Sequence, residues 1–115
     1  MNQELQEKIF ALKPEWFKGL SHGIECGDGW FNLIEELTQK LTALMTESPD
    51  DFKVFQIKSK LGGLRYYVSG TDSTRARVLI DGYEYKSYSV CEVCGKDAKV
   101  RTLEPVMTLC RYPHE

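Results

Sequence analysis

Little in this sequence points to catalysis or to a membrane. There are two histidines, His22 and His114, in 115 residues. They make no Ser/His/Asp arrangement, and Cys26 beside His22 is the one nucleophile pairing to consider. A zinc nuclease of the histidine–asparagine–histidine kind would need a general base and metal ligands beyond its structural knuckles. No enzyme is therefore expected. No apolar run approaches the ~18 residues that cross a bilayer. The first ten residues, Met1 to Phe10, alternate polar and apolar without a secretory hydrophobic region, so a cytoplasmic protein is expected. Nor is there an excess of basic charge. Fifteen Lys and Arg stand against 17 Asp and Glu, giving a net charge of −2 and a pI of about 5.7. That balance disfavours broad, non-specific nucleic-acid binding, while leaving a local basic patch open. Repeats, low-complexity tracts and long linkers are missing too. The expected organisation is one domain over 1–115, with 1–90 an α+β body and 91–115 a zinc knuckle.

What is present falls into recognisable elements. Leu5, Ile9 and Leu12 recur at helical spacing, and a short helix should end before Pro14. Trp16 and Phe17 then offer a large aromatic pair to the core. Asp28 is positioned to cap a long amphipathic helix whose inner face is Trp30, Leu33, Ile34, Leu37, Leu41, Leu44 and Met45. Glu35, Glu36, Gln39 and Lys40 lie opposite, and Ser48-Pro49-Asp50-Asp51 should end it. Phe52 to Ser69 reads as a β-hairpin turning at Gly62-Gly63. That turn would set Leu61 against Leu64, Ser59 against Tyr66 and Ile57 against Val68 on one apolar face. Lys58 opposite Tyr67 and Lys60 opposite Arg65 would share the other. For residues 72–89 local chemistry is divided. Asp72 or Ser73 can cap a helix with Ala76, Leu79, Ile80 and Tyr83 inside, whereas Asp81-Gly82 is a hairpin signal and Gly82 would cost a helix about 1 kcal/mol.

Three constellations carry chemistry. Cys91-Glu92-Val93-Cys94-Gly95 is a Cys-x-x-Cys knuckle of the kind that presents two thiolates to zinc. Fifteen residues lie between Cys94 and Cys110, near the spacing of zinc-ribbon ligand pairs, and His114 follows as a fourth ligand. A structural Zn2+ on Cys91, Cys94, Cys110 and His114 is expected, with Cys26 and His22 in reserve. Residues 99–102 and 106–109 should form the ribbon that joins the pairs. A redox role for the Cys-x-x-Cys pair would want a βαβ context that this pattern lacks. The second constellation, Gly27-Asp28-Gly29 before a helix, suggests a tight turn and a cap; Asp28 would itself occupy the place of a bound anion. The third is the hairpin's basic face. Lys60 opposite Arg65 would be destabilising without an acidic neighbour, supplied either by Glu47, Asp50, Asp51 or Asp72 or by a partner.

Taken in order, Cys26-Gly27-Asp28-Gly29-Trp30, Lys60-Leu61-Gly62-Gly63-Leu64-Arg65-Tyr66-Tyr67-Val68 and Ser87-x-x-x-Cys91-Glu92-Val93-Cys94-Gly95 resemble a group of small, mostly uncharacterised bacterial and prophage-borne proteins. The likeness runs from about Ile24 to Cys110. It implies a helix over residues 72–89 and a metal at the C-terminal end, and it carries no activity with it. That group usually closes with a Cys-x-x-His or Cys-x-x-Cys pair, and Cys110-Arg111-Tyr112-Pro113-His114 is one residue longer. The expectation is thus an α+β fold: a long amphipathic helix on a β-hairpin, a further helix, and a zinc-ribbon-like knuckle. The expected function is a non-enzymatic zinc protein acting by protein–protein contact, such as an inhibitor or immunity factor of a mobile element. The alternative is a nucleic-acid-binding regulator using Lys58, Lys60, Arg65 and Tyr67, together with Lys96, Lys99 and Arg101 of the ribbon.

Overall fold

The computed structural model describes residues 1–46, 51–102 and 104–114. The fold is mixed α+β, and its elements follow from local chemistry. Asn2 Oδ1 accepts the Leu5 N–H and starts α1, Gln3–Phe10, which buries Ile9. A 3-10 turn at Pro14–Phe17 then folds Trp16 and Phe17 inward, with the Trp16 ring 4.5 Å from that of Phe52. The next helix, α2, spans Phe31–Leu44 and buries Ile34, Leu37, Thr38 and Leu41. It starts later than the sequence suggests, because Asp28–Trp30 forms a separate 3-10 turn. Asp28 does not cap it. Its carboxylate accepts from the Asn2 backbone N–H at 2.8 Å and from Asn2 Nδ2 at 3.2 Å, tying α1 to this turn instead. The expected helix stop at Ser48 to Asp50 lies outside the described residues.

The hairpin consists of β2, Lys53–Lys60, and β3, Gly63–Ser69. Its turn is Leu61-Gly62 and not Gly62-Gly63. Both turn residues take positive φ, 52° and 84°, as a two-residue loop of type I′ requires. The pairing therefore slides by two residues: Ser59 faces Leu64, Ile57 faces Tyr66, Lys58 faces Arg65 and Lys60 faces Gly63. A two-residue slide leaves each side chain on its expected face, so Ile57, Leu64 and Tyr66 are buried as the alternation demands. Leu61 leaves the core and is exposed.

A short strand that the sequence did not signal, β1 at Ile24–Glu25, joins β2 in parallel and completes a sheet ordered β1-β2-β3. Within residues 72–89 the helix is the outcome: α3 spans Thr74–Ser87 and is capped by Ser73, whose Oγ accepts the Ala76 N–H. Gly82 sits inside it. The helix covers the open edge of β3, where Ser87 Oγ accepts the Leu64 N–H at 2.9 Å and Glu84 accepts that of Tyr66 at 2.8 Å. An edge satisfied in this way cannot template another strand. Strands β4, Lys99–Arg101, and β5, Met107–Leu109, form the expected antiparallel ribbon. Among the described residues no helix is long and apolar enough to cross a membrane.

Candidate metal centre

Two chain segments build the site. The first is the knuckle after α3, closed by the Gly95 N–H donating to the Cys91 carbonyl at 2.9 Å, with Gly95 at φ 84°. The second follows β5 and supplies Cys110 and His114. Between them the β4–β5 ribbon reverses the chain, so that sulfur and nitrogen atoms of Cys91, Cys94, Cys110 and His114 all lie within 4.8 Å of one another. These four residues could hold a metal ion.

Their chemistry fits one. Cys94 Sγ and Cys110 Sγ are 3.5 Å apart, well beyond the ~2.05 Å of a disulfide and close to the ~3.8 Å separating sulfurs in a tetrahedron of ~2.3 Å metal–sulfur bonds. All four cysteines are free thiols. Burial pushes the Cys91 thiol up, but N–H groups of Cys110, Cys94 and Val93 outweigh it and bring it down from 9.0 to about 7. Backbone donors thus already favour a thiolate here. Cys110 is pushed up, first by burial and then by the neighbouring Cys94 and Cys91. Crowded thiolates repel until a cation lies among them. His114 supplies an independent sign, since its Nε2 is buried with no hydrogen-bond partner.

The reserve ligands are elsewhere. Cys26 belongs to the hydrophobic core, where burial, then Glu92, pushes its thiol up to about 12. His22 is exposed on a loop.

Most of what fastens this centre to the body was missed from the sequence. Glu92 is buried inside the knuckle, where its carboxylate accepts the Gly27 N–H at 3.1 Å and the Ser59 hydroxyl at 3.0 Å. Its backbone carbonyl accepts the Gly29 N–H at 2.8 Å, and its N–H donates to Thr108. An anion does sit at the turn before α2, and it belongs to Glu92 rather than Asp28. Gly27 and Gly29 are explained by the same contact. A Cβ on Gly27 would run into the Glu92 carbonyl, and one on Gly29 would meet the Cys91 carbonyl and come within 2.7 Å of Cys94 N. Trp30 Nε1 donates to the Val90 carbonyl at 2.8 Å, and Thr108 Oγ1 to the Gly62 carbonyl at 2.6 Å. The three motifs noted in the sequence therefore meet at one junction. The usable signal was Glu92 itself, an acid placed between two ligand positions.

On the hairpin's outer side, Lys58 rather than Lys60 lies across from Arg65. The Arg65 guanidinium turns aside to the Leu64 carbonyl and the Tyr88 hydroxyl, both at 3.1 Å. The acidic neighbours are Glu25, paired in register with Lys58, and Glu84, which acts on Arg65. Neither was among the expected acids, of which Glu47 and Asp50 lie outside the described residues. Tyr67 stacks on Phe55, a residue that sequence reasoning passed over, with centroids 5.8 Å apart.

Comparison with protein-family models, curated proteins and solved structures finds no match to this chain.

Proposed function

We propose that this is a non-enzymatic binding protein whose C-terminal ribbon is fastened by one structural Zn2+ on Cys91, Cys94, Cys110 and His114. The convergence of those four side chains carries the reading. Zinc suits a Cys3His set because it accepts soft and borderline ligands in a closed tetrahedron and brings no redox chemistry. With all four positions filled by protein atoms, none is left for a substrate, which is the mark of a structural site. The metal would neutralise the crowded thiolates and give His114 Nε2 its partner. Purified protein should contain about one zinc per chain. Chelation should lower the melting temperature, because metal binding is folding energy here. A metal-free protein, equally stable with chelator, would defeat this reading.

For the partner, a protein target is favoured by the acidic balance and by Val78 and Tyr85, which are 64% and 79% exposed on α3. An inhibitor or immunity factor of a mobile element would have this character, in keeping with the prophage-type motifs. The nucleic-acid reading is favoured by one specific observation, the stacked and partly exposed Phe55–Tyr67 pair beside Lys58 and Arg65.

A further inference from the structure

The outer face of the β1-β2-β3 sheet departs from regular pairing at one place. Register shifts between Val54 and Gln56, so β2 carries a bulge at Phe55. Val54 and Ile57 are both buried, and the extra residue lets Phe55 and Gln56 both stay outside the core. Bulges re-aim side chains in this way, commonly beside functional sites. Here the outcome is an aromatic ring 49% exposed, lying nearly parallel to Tyr67 at 14° between planes. The bulge keeps Val54 and Ile57 both in the core and leaves the Phe55 ring to stack on Tyr67 outside it.

Charge on this face is segregated. Lys53, Lys58 and Lys60 of β2 and Arg65 of β3 stand against Glu25, with Glu84 acting on Arg65, in a chain whose net charge is −2. Lys53 and Arg65 are partly engaged, with the Glu15 carbonyl and with Tyr88 respectively. Among the described residues, Lys58 and Lys60 make no ion pair of 4.0 Å or less. Phe55 also borders a cleft of about 230 Å³ with His22, Glu25 and Gln56, where Gln56 Nε2 donates to the Glu25 carboxylate at 3.4 Å. It is large enough for a planar heterocycle, and its rim carries both donors and acceptors.

From these features we infer that the outer sheet face binds single-stranded nucleic acid, with bases stacking on Phe55 and Tyr67, one base edge meeting His22 and Gln56, and phosphates along Lys58 and Lys60. Exposed rings serve unpaired bases because every base offers a π face, and lysines beside them neutralise the backbone. A duplex hides its base faces and should bind less well. An acidic protein would use the lysines but would have no need of stacked rings. The inference deepens the nucleic-acid reading given above, concerns a different surface from the exposed Val78 and Tyr85 of α3, and is independent of the metal.

Fluorescence anisotropy with labelled oligothymidylate and oligouridylate of about a dozen nucleotides tests it. Binding should weaken as salt rises, with a slope of about −0.7 per phosphate contacted. Phe55→Ala should weaken binding about tenfold, and Phe55→Trp should restore it. Lys58→Gln with Lys60→Gln should lower the salt slope by about 1.4. Three results overturn the inference: no binding to either oligonucleotide at low salt, binding unchanged by Phe55→Ala, or capture of polyglutamate in place of both. Circular dichroism and zinc content on the same samples separate a lost surface from a lost fold or a lost metal.

Discussion

Glu92 shows how much one side chain can join. Its carboxylate is buried between the turn that precedes α2 and Ser59 of β2, and its backbone bonds to Gly29 and Thr108. A buried charge without partners would be costly, but backbone and hydroxyl donors satisfy this one. Glu92→Ala removes both side-chain bonds and should destabilise the protein by about 2–3 kcal/mol, as measured by denaturant unfolding. Glu92→Gln keeps an oxygen for Gly27 and should cost about 1 kcal/mol. A neutral Glu92→Ala would mean that these bonds do not hold the knuckle to the body. At the turn, Leu61 has a φ of 52°, which costs a leucine about 1–2 kcal/mol. Its side chain is 68% exposed, so asparagine would lose little packing. Leu61→Asn should therefore raise stability by about 1 kcal/mol, read as a higher melting temperature.

Among the elements, α3 combines an adverse local sequence with a favourable place in the fold. Gly82 is exposed, and a Cβ there would meet nothing within 4 Å. Gly82→Ala should stabilise the helix by about 0.5–1 kcal/mol, as thermal unfolding would report. What holds the segment helical is tertiary: Ala76, Ile80 and Tyr83 are buried, and Glu84 and Ser87 satisfy the edge of β3. Glu84 also gives the fold a pH dependence. Burial pushes its carboxyl above the ordinary 4.5, against the bond from the Tyr66 N–H. The folded state thus binds the proton more tightly than the unfolded state. The cost of holding the charged form applies at neutral pH and fades as pH falls through the raised value. Glu84→Gln keeps an acceptor for Tyr66, and should be more stable than wild type at pH 7, with the difference closing near pH 4.5. Equal stabilities across that range would remove this account of Glu84.

For the whole molecule, the candidate metal centre and the junction belong together. The ribbon is short, three residues in each strand, and buries little of its own. Four candidate ligands flank it on one side; on the other, Thr108 bonds to Gly62 and Glu92, and Glu92 bonds on to Gly27, Gly29 and Ser59. Cys91→Ser should release zinc and expose the ribbon to proteolysis while α1 to α3 and the main sheet keep their circular dichroism signal. Global unfolding of that variant would instead mean that body and ribbon form one cooperative unit. A body without its knuckle and ribbon would leave the Gly27 and Gly29 N–H groups without Glu92, so partial loss of stability is expected even when the helices persist.

Periodicity and spacing were enough, in the sequence alone, to mark the inner face of α2, the alternation of the hairpin, the ribbon strands and the four candidate ligands. Each of these depends on contacts a few residues apart or on the fixed preferences of a residue type. Tertiary structure decided the rest. The hairpin turn moved to Leu61-Gly62 because positive φ at two successive positions suited the strand twist, despite the leucine. Residues 72–89 became helix because the β3 edge and the core needed Glu84, Ser87 and Ile80 there, which local propensity had left undecided. Strand β1 is two residues long and exists only because β2 lies beside it. Glu92 took the turn that Asp28 was expected to fill for the same reason: which carboxylate reaches a turn depends on what the fold brings to it, and that contact spans 65 residues of chain.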